Sequence, residues 1–173
     1  MTSLLDDVLT LSRVDRGKIN FSPTKVNLRE LCSQLLNEVH FQTLPGHNLI
    51  FNYNLEEDEH IIDNKLLTQI LSNLLSNAVK FSPEGGKILL DVTQKEDIIE
   101  FVVEDEGLGI DKNDLKNIFE PFYRGKNVAD IHGSGLGLNI VKNAVDLHNG
   151  QITIDSQLNE GTKITFTIRT NYL

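Results

Sequence analysis

Residues 71–82 read LSNLLSNAVKFS. Asn73, Asn77 and Lys80 recur there at four- and three-residue steps among Leu71, Leu74, Leu75, Ala78, Val79 and Phe81. On a helix this gathers the polar residues on one face and the apolar ones on the other. The apolar face packs, and the polar face is available to hold something. Two glycine-rich stretches further on suggest what: DEGLGI at 105–110 and GSGLGL at 133–138, where bare backbone can approach phosphate.

Working outward, Asp63 is placed to cap the helix that carries this stretch, and Pro83, Gly85 and Gly86 close it. Upstream, Leu49, Phe51, Tyr53 and Leu55 alternate as in a half-buried strand. Asn27, with Glu30 three residues later, opens an earlier helix that puts Leu28, Leu31, Leu35, Leu36 and Val39 on one side, with Pro45 and Gly46 beyond its end. Residues 21–26, with Pro23, read as a linker and a short strand. Before them, Leu4, Leu5, Val8, Leu11 and Val14 fall at helical spacing over 3–19. Such a helix packs on its own domain or forms part of a helical hairpin or dimer.

Downstream, 87–93 and 98–105 predict an antiparallel hairpin whose second strand delivers Asp105 into the first glycine loop. A short helix is expected over 111–119, followed by a long loop of little apolar periodicity over 120–134. A loop of that length in a compact domain is more often functional than idle. The stretch 135–148 predicts a helix ended by Asn149 and Gly150, and 151–156 with 162–169 predicts a last strand pair turning through 158–161.

The 173 residues, 39% hydrophobic, suffice for one well-buried core and an appendage. A net charge of -9 argues against a nucleic-acid partner or an anionic membrane surface, either of which needs a basic face. The single Cys32 excludes an intramolecular disulfide framework and a four-cysteine zinc site. No apolar run approaches bilayer-spanning length, and the opening MTSLLDDVLT is acidic where a secretory signal is basic, so the chain is expected to be soluble.

At the motifs, the Asn77 amide oxygen suits a hard cation such as Mg²⁺ shared with nucleotide oxygens. Lys80, one turn on, would meet phosphate, and Asn73 would complete the polar row; the bland alternative is a solvated helix face. Asp105 ends the apolar run FVVED, where a carboxylate is costly unless donors meet it, and a purine amine is such a donor. Gly107 and Gly109 would let the backbone pass close beneath a base, or simply make a tight turn. The second glycine run opens a helix, so free amides and the helix dipole favour an anion at 135–138. Its GxGxG spacing is not the dinucleotide fingerprint, and no GxxxxGK[ST] P-loop occurs.

The order of these pieces resembles the catalytic ATP-binding domain of bacterial sensor histidine kinases, within the ATPase superfamily shared with gyrase, MutL and the heat-shock chaperones. The resemblance implies an α+β fold, a two-layer sandwich of a mixed, mainly antiparallel sheet with helices on one face (the GHKL or Bergerat fold). It implies ATP and Mg²⁺ as cofactors, with Asn77 on the metal, Asn73 and Lys80 near the phosphates, and Asp105 on the adenine amine above Gly107 and Gly109. FEPFYRG at 119–125 resembles the F box, whose aromatics anchor an ATP lid and whose Arg124 reaches the terminal phosphate. Gly133, Gly135, Leu136, Gly137 and Leu138 match the second glycine box, and Gly161 with Thr162 a short motif beside adenine. Phe81 stands where many relatives have Tyr, which removes a hydroxyl contact.

Residues 3–19 resemble the end of a dimerisation and histidine-phosphotransfer helix, which implies a division into 1–22 and an ATP-binding domain over 23–173. None of His40, His47, His60, His132 or His148 has the H-[ED]-x-R context of a phosphoacceptor, so these are expected to be surface or capping residues. The resemblance therefore implies a fragment of a homodimeric kinase. Its partners would be the kinase's own phosphotransfer domain and a response regulator, its location cytoplasmic, and its parent compatible with membrane anchoring. In hydrolytic relatives a glutamate stands four residues before the magnesium asparagine; here that position is Asn73, which cannot act as a base. The alternatives are a non-catalytic ATP-binding regulatory or dimerising module and an anti-sigma type serine kinase. The lid, about 125–132, is expected to be mobile without ATP.

Overall fold

A computed structural model of the chain describes residues 20–125, 128, 131 and 133–170. The expected N-terminal helix over 3–19, His132 and much of the expected lid lie outside the described residues.

The elements follow one another as β1 (Thr24–Asn27), α1 (Leu28–His40), β2 (His47–Asn54), β3 (Glu59–Ile62), α2 (Asn64–Lys80), β4 (Gly86–Lys95), β5 (Ile98–Asp105), α3 (Gly137–Leu147), β6 (Ile152–Gln157) and β7 (Gly161–Arg169). Five strands form one sheet in the order β2-β4-β5-β7-β6. β2 runs parallel to β4, and the other pairings are antiparallel. β1 and β3 make a separate antiparallel ribbon.

The side chains of the central strands alternate with period two, as a sheet covered on one face requires. Ile88, Leu90 and Val92 of β4, Ile99, Phe101 and Val103 of β5, and Ile164, Phe166 and Ile168 of β7 are buried. Phe101 and Phe166, cross-strand partners, stack with ring centroids 4.7 Å apart. The helices close this face. α2 contributes eight buried residues, Leu66 through Val79, and packs against both α1 and α3. Each apolar side chain fully withdrawn from water here contributes about 1.5–3 kcal/mol before the entropy of ordering it.

The helix starts follow the expected chemistry. The Asn27 side chain accepts a hydrogen bond from the Glu30 amide at 2.9 Å, and Asp63 Oδ1 accepts from the Leu66 amide at 3.1 Å. Asp63 Oδ2 also accepts from the Ser22 amide at 2.8 Å, tying the incoming chain to the start of α2.

Two expectations need correction. Residues 112–119 form consecutive turns rather than a helix, with i to i+3 bonds such as Asn117 N–H to Asp114 O at 2.9 Å. Asp111 Oδ1 accepts from both the backbone and the side-chain amide of Asn113, at 2.8 Å each, and this local bonding competes with helix propagation. His60 is buried rather than on the surface. His148 does cap α3, as its C-cap residue, with its Nδ1 2.8 Å from Ala144 O and its ring edge-on to Phe21.

Candidate functional site

The polar face of α2 looks into a cavity of about 660 Å³ bounded also by β5, β7, the start of α3 and residues 123–125, 128, 131 and 133–135. Asn73, Asn77, Lys80, Asp105, Gly109, Arg124, Gly133, Gly135, Gly137, Leu138 and Thr162 all line it. Two of the expected site residues do not. Leu136 is fully buried and its amide donates to Ser134 Oγ at 3.3 Å, while Gly107 lies outside the lining and its amide donates to Asp105 Oδ1 at 2.9 Å. Gly107 therefore acts on the cavity through Asp105.

On the sheet side, Asp105 is buried at the end of β5 beside Thr162 of β7. Burial pushes its carboxyl up to about 6, against the opposing effect of the Gly107 and Thr162 amides. With two amides on it, such a carboxylate still has lone pairs for a further donor. The loop that follows is built by close approach. A Cβ on Gly109, whose φ is +65°, would stand 1.9 Å from Gln157 O, so only glycine lets the loop lie against the β6–β7 turn. Asn159 N–H to Leu108 O at 2.8 Å and Ile110 N–H to Ser156 Oγ at 2.9 Å complete that brace.

On the other side stand two cations. The Lys80 ammonium lies 4.8 Å from the Phe81 ring centroid, and its pKa is lowered by burial and by the charge of Arg124. Among the described residues no carboxylate lies within ion-pair distance of Lys80. Arg124 is held by the carbonyls of Val128, at 2.9 Å, and Ile131. Two like charges gathered in a partly buried wall without a carboxylate for Lys80 favour an anionic occupant.

The glycine box closes on this wall. A Cβ on Gly133 would lie 2.7 Å from Lys80 Nζ, and one on Gly137 would lie 2.9 Å from Asn73 Oδ1. Asn73 Nδ2 donates to Gln69 O at 2.9 Å, which leaves its oxygen facing α3. No side chain caps the start of α3 at Leu136, so its first amides keep their attraction for an anion. No cluster of three or more His, Cys, Asp or Glu that could hold a metal occurs among the described residues. The Asn77 amide lines the cavity without a partner among the described residues, so a metal fits here only with most of its ligands coming from a bound anion and water.

Sequence reasoning left Ile110, Ile118 and Ser156 without a role. The Tyr123 hydroxyl donates to Asp114 Oδ1 at 2.8 Å, anchoring the segment that ends in Arg124. Ile110 and Ile118 add apolar lining. Ser156, a lone serine in a strand, shows its contacts only once β6 and β7 are paired.

A family model described as histidine kinase-, DNA gyrase B-, and HSP90-like ATPase matches residues 62–171. The sensor histidine kinase WalK of Bacillus subtilis (strain 168) is 36% identical over 174 residues, which cover 97% of this chain and 28% of that protein. The circadian input-output histidine kinase CikA of Synechococcus elongatus is 35% identical over 173 residues, covering 97% of this chain and 23% of that protein. The chain thus spans less than a third of the length of these relatives. Among solved structures, full-length ShkA in complex with AMPPNP superposes with a TM-score of 0.78 at 28% identity, over 98% of this chain and 36% of that one. The nucleotide-free catalytic domain of histidine kinase ThkA gives a TM-score of 0.71 at 26% identity, over 86% of this chain and 96% of that one.

Proposed function

Since this chain belongs to the histidine kinase-, DNA gyrase B-, and HSP90-like ATPase family, we propose that it binds Mg·ATP and donates the γ-phosphoryl group to a histidine of a phosphotransfer domain. The observation that carries this reading is the composition of a single cavity, with a buried carboxylate on its sheet side and two cations with bare backbone on its helix side. Adenine fits the first and a triphosphate the second.

In this reading Asp105 accepts from the adenine amine while Gly109 and Thr162 shape the base pocket. Lys80 and Arg124 neutralise phosphate charge, and the amides around Gly133, Gly135, Gly137 and Leu138 receive phosphate oxygens. The Asn77 oxygen would hold Mg²⁺, which when bound supplies further neutralisation of the phosphates. Transfer forms a bond from phosphorus to an imidazole nitrogen and breaks the bond from phosphorus to the β–γ bridging oxygen, releasing ADP. Positioning and charge neutralisation are what such a step requires. Asn73 stands where a general base for water would be needed and cannot take a proton, which favours an external acceptor over hydrolysis.

Residues 1–22 would belong to the phosphotransfer helix and linker and 23–173 to the ATP-binding domain, with a homodimeric parent passing phosphate to a response regulator. The test is calorimetric titration with ATP and Mg²⁺ of the chain and of its Lys80→Ala variant, followed by labelled-ATP transfer in a chain extended to include the phosphotransfer histidine. Binding lost in the variant and label on histidine are expected. Binding without label transfer would favour the non-catalytic regulatory module instead.

A further inference from the structure

Asp105, Thr162 and Ser156 form one rung across three strands: Asp105 of β5 is the register partner of Thr162 of β7, which is in turn the partner of Ser156 of β6. Directly opposed residues project on the same face of a sheet, so the three side chains stand in a row. Asp105 and Thr162 line the cavity, and Ser156 lies behind them, buried.

Three groups surround the Ser156 hydroxyl. The Ile110 amide is 2.9 Å away, the Gly161 carbonyl oxygen 2.7 Å and the Thr162 hydroxyl 3.0 Å. An amide only donates and a carbonyl only accepts, so the one Ser156 proton goes to Gly161 O. At the remaining contact Ser156 must accept, and Thr162 spends its own proton there. Thr162 Oγ1 is left with lone pairs alone to offer the cavity, next to a carboxylate that also only accepts when ionised.

We infer that Ser156 is a positioning residue that fixes the polarity of the Thr162 hydroxyl, so that the base end of the cavity offers acceptors only and selects a purine bearing a 6-amino group over the same purine with hydrogen at that position. This rests on the nucleotide reading above and adds the origin of its base selectivity. An exocyclic amine brings two N–H groups to two adjacent acceptors. A purine with hydrogen at position 6 has the same N1 lone pair but brings no donor to these acceptors, and polar groups left unpaired in a buried site are what make such discrimination strong.

The experiment compares the dissociation constants of ATP and purine riboside triphosphate, which differ only in the 6-amino group, for the whole chain with Mg²⁺ by calorimetry. In Ser156→Ala the Thr162 proton is released to turn into the cavity, and the preference for ATP over purine riboside triphosphate is expected to fall about tenfold, the weight of one hydrogen bond. Ser156→Thr keeps a hydroxyl and restores the preference. Thr162→Val also lowers it, and adding Ser156→Ala to Thr162→Val changes nothing further, because Ser156 acts through Thr162.

An unmoved preference in Ser156→Ala with ATP binding retained overturns this inference alone. So does a preference that rises in Thr162→Val, a variant that leaves the Ser156 bonds to Ile110 and Gly161 intact and decides the matter if Ser156→Ala does not fold. Failure of the unmodified chain to bind either nucleotide overturns the nucleotide reading and this inference with it.

Discussion

A Cβ added to Gly137 would stand 2.9 Å from Asn73 Oδ1, so the first residue of α3 and the third turn of α2 meet with no room for a methyl group between them. Asn73 cannot swing aside cheaply, because its Nδ2 is bonded to Gln69 O at 2.9 Å. Gly137→Ala therefore displaces either Asn73 or the start of α3. Stability is expected to fall by only about 1 kcal/mol, since alanine is the better helix former and offsets part of the clash. ATP affinity is expected to fall at least about tenfold because the phosphate-side geometry shifts. Parallel denaturation and calorimetry of the variant would check the split; equal affinity would show that the contact is not part of the binding geometry.

Asp105 couples nucleotide binding to pH. Its carboxyl is held up at about 6 by burial, above the ordinary carboxylate range. A raised carboxylate pKa means that the ionised form is the costly one in the empty domain. This group's contribution to stability is therefore present below the unfolded pKa, near 4, and is lost as pH rises through about 6. An amine donor requires the carboxylate, so ATP affinity should run the other way, weakening by up to about tenfold per pH unit below 6. Melting curves and titrations between mildly acidic and neutral pH should show the two opposed trends, and Asp105→Asn should flatten both while weakening ATP binding roughly 10- to 100-fold.

Gly109 and Gly46 separate collision from strain. Both have positive φ, but a Cβ on Gly109 meets Gln157 O at 1.9 Å whereas one on Gly46 meets nothing closer than 3.7 Å. Gly46→Ala is expected to cost about 1–2 kcal/mol and Gly109→Ala about 2–4 kcal/mol, with only the latter also impairing nucleotide binding. Urea unfolding of the two variants would settle the order; equal costs would show that the β6–β7 turn yields freely.

Asp63 holds two backbone amides, those of Leu66 and Ser22. Asp63→Ala should lower stability by about 1–3 kcal/mol, while Asp63→Asn, which keeps an acceptor, should recover most of it. Hydrogen exchange should then show protection at the Ser22 amide lost in the alanine variant. Retained protection there would mean that the entering chain is anchored by other contacts, among them the Phe21 ring on His148.

Much of this architecture was legible because it rests on local chemistry. The caps at Asn27 and Asp63, the period-two runs of β4 and β5 and the αL exit of α3 at Asn149 are written in neighbouring residues. β3 escaped notice because EHII is four residues long and follows the acidic run at 56–59, so no alternation stands out; only its pairing with β1 makes it a strand. The 112–119 turns were mistaken for a helix because Leu115, Ile118 and Phe119 have helical spacing, while the Asp and Asn side chains that divert the backbone look the same as solvated ones. At the site, Asn73, Asn77 and Lys80 announced themselves through periodicity. Ser156 did not, since its importance lies in three partners brought together by strand pairing.

β7 is the last strand of the sheet in sequence yet an interior one in space, flanked by β5 and β6. On the ribosome, β4 and β5 can pair early, but the exposed flank of β5 must wait until the stretch ending at Arg169 has been made. During that interval an apolar, unpaired strand edge is available to other chains, which is a template for aggregation. Slow translation or premature termination before residue 161 would thus leave a sticky half-sheet rather than a smaller working domain, and nascent copies would depend most on chaperones until β7 has been made.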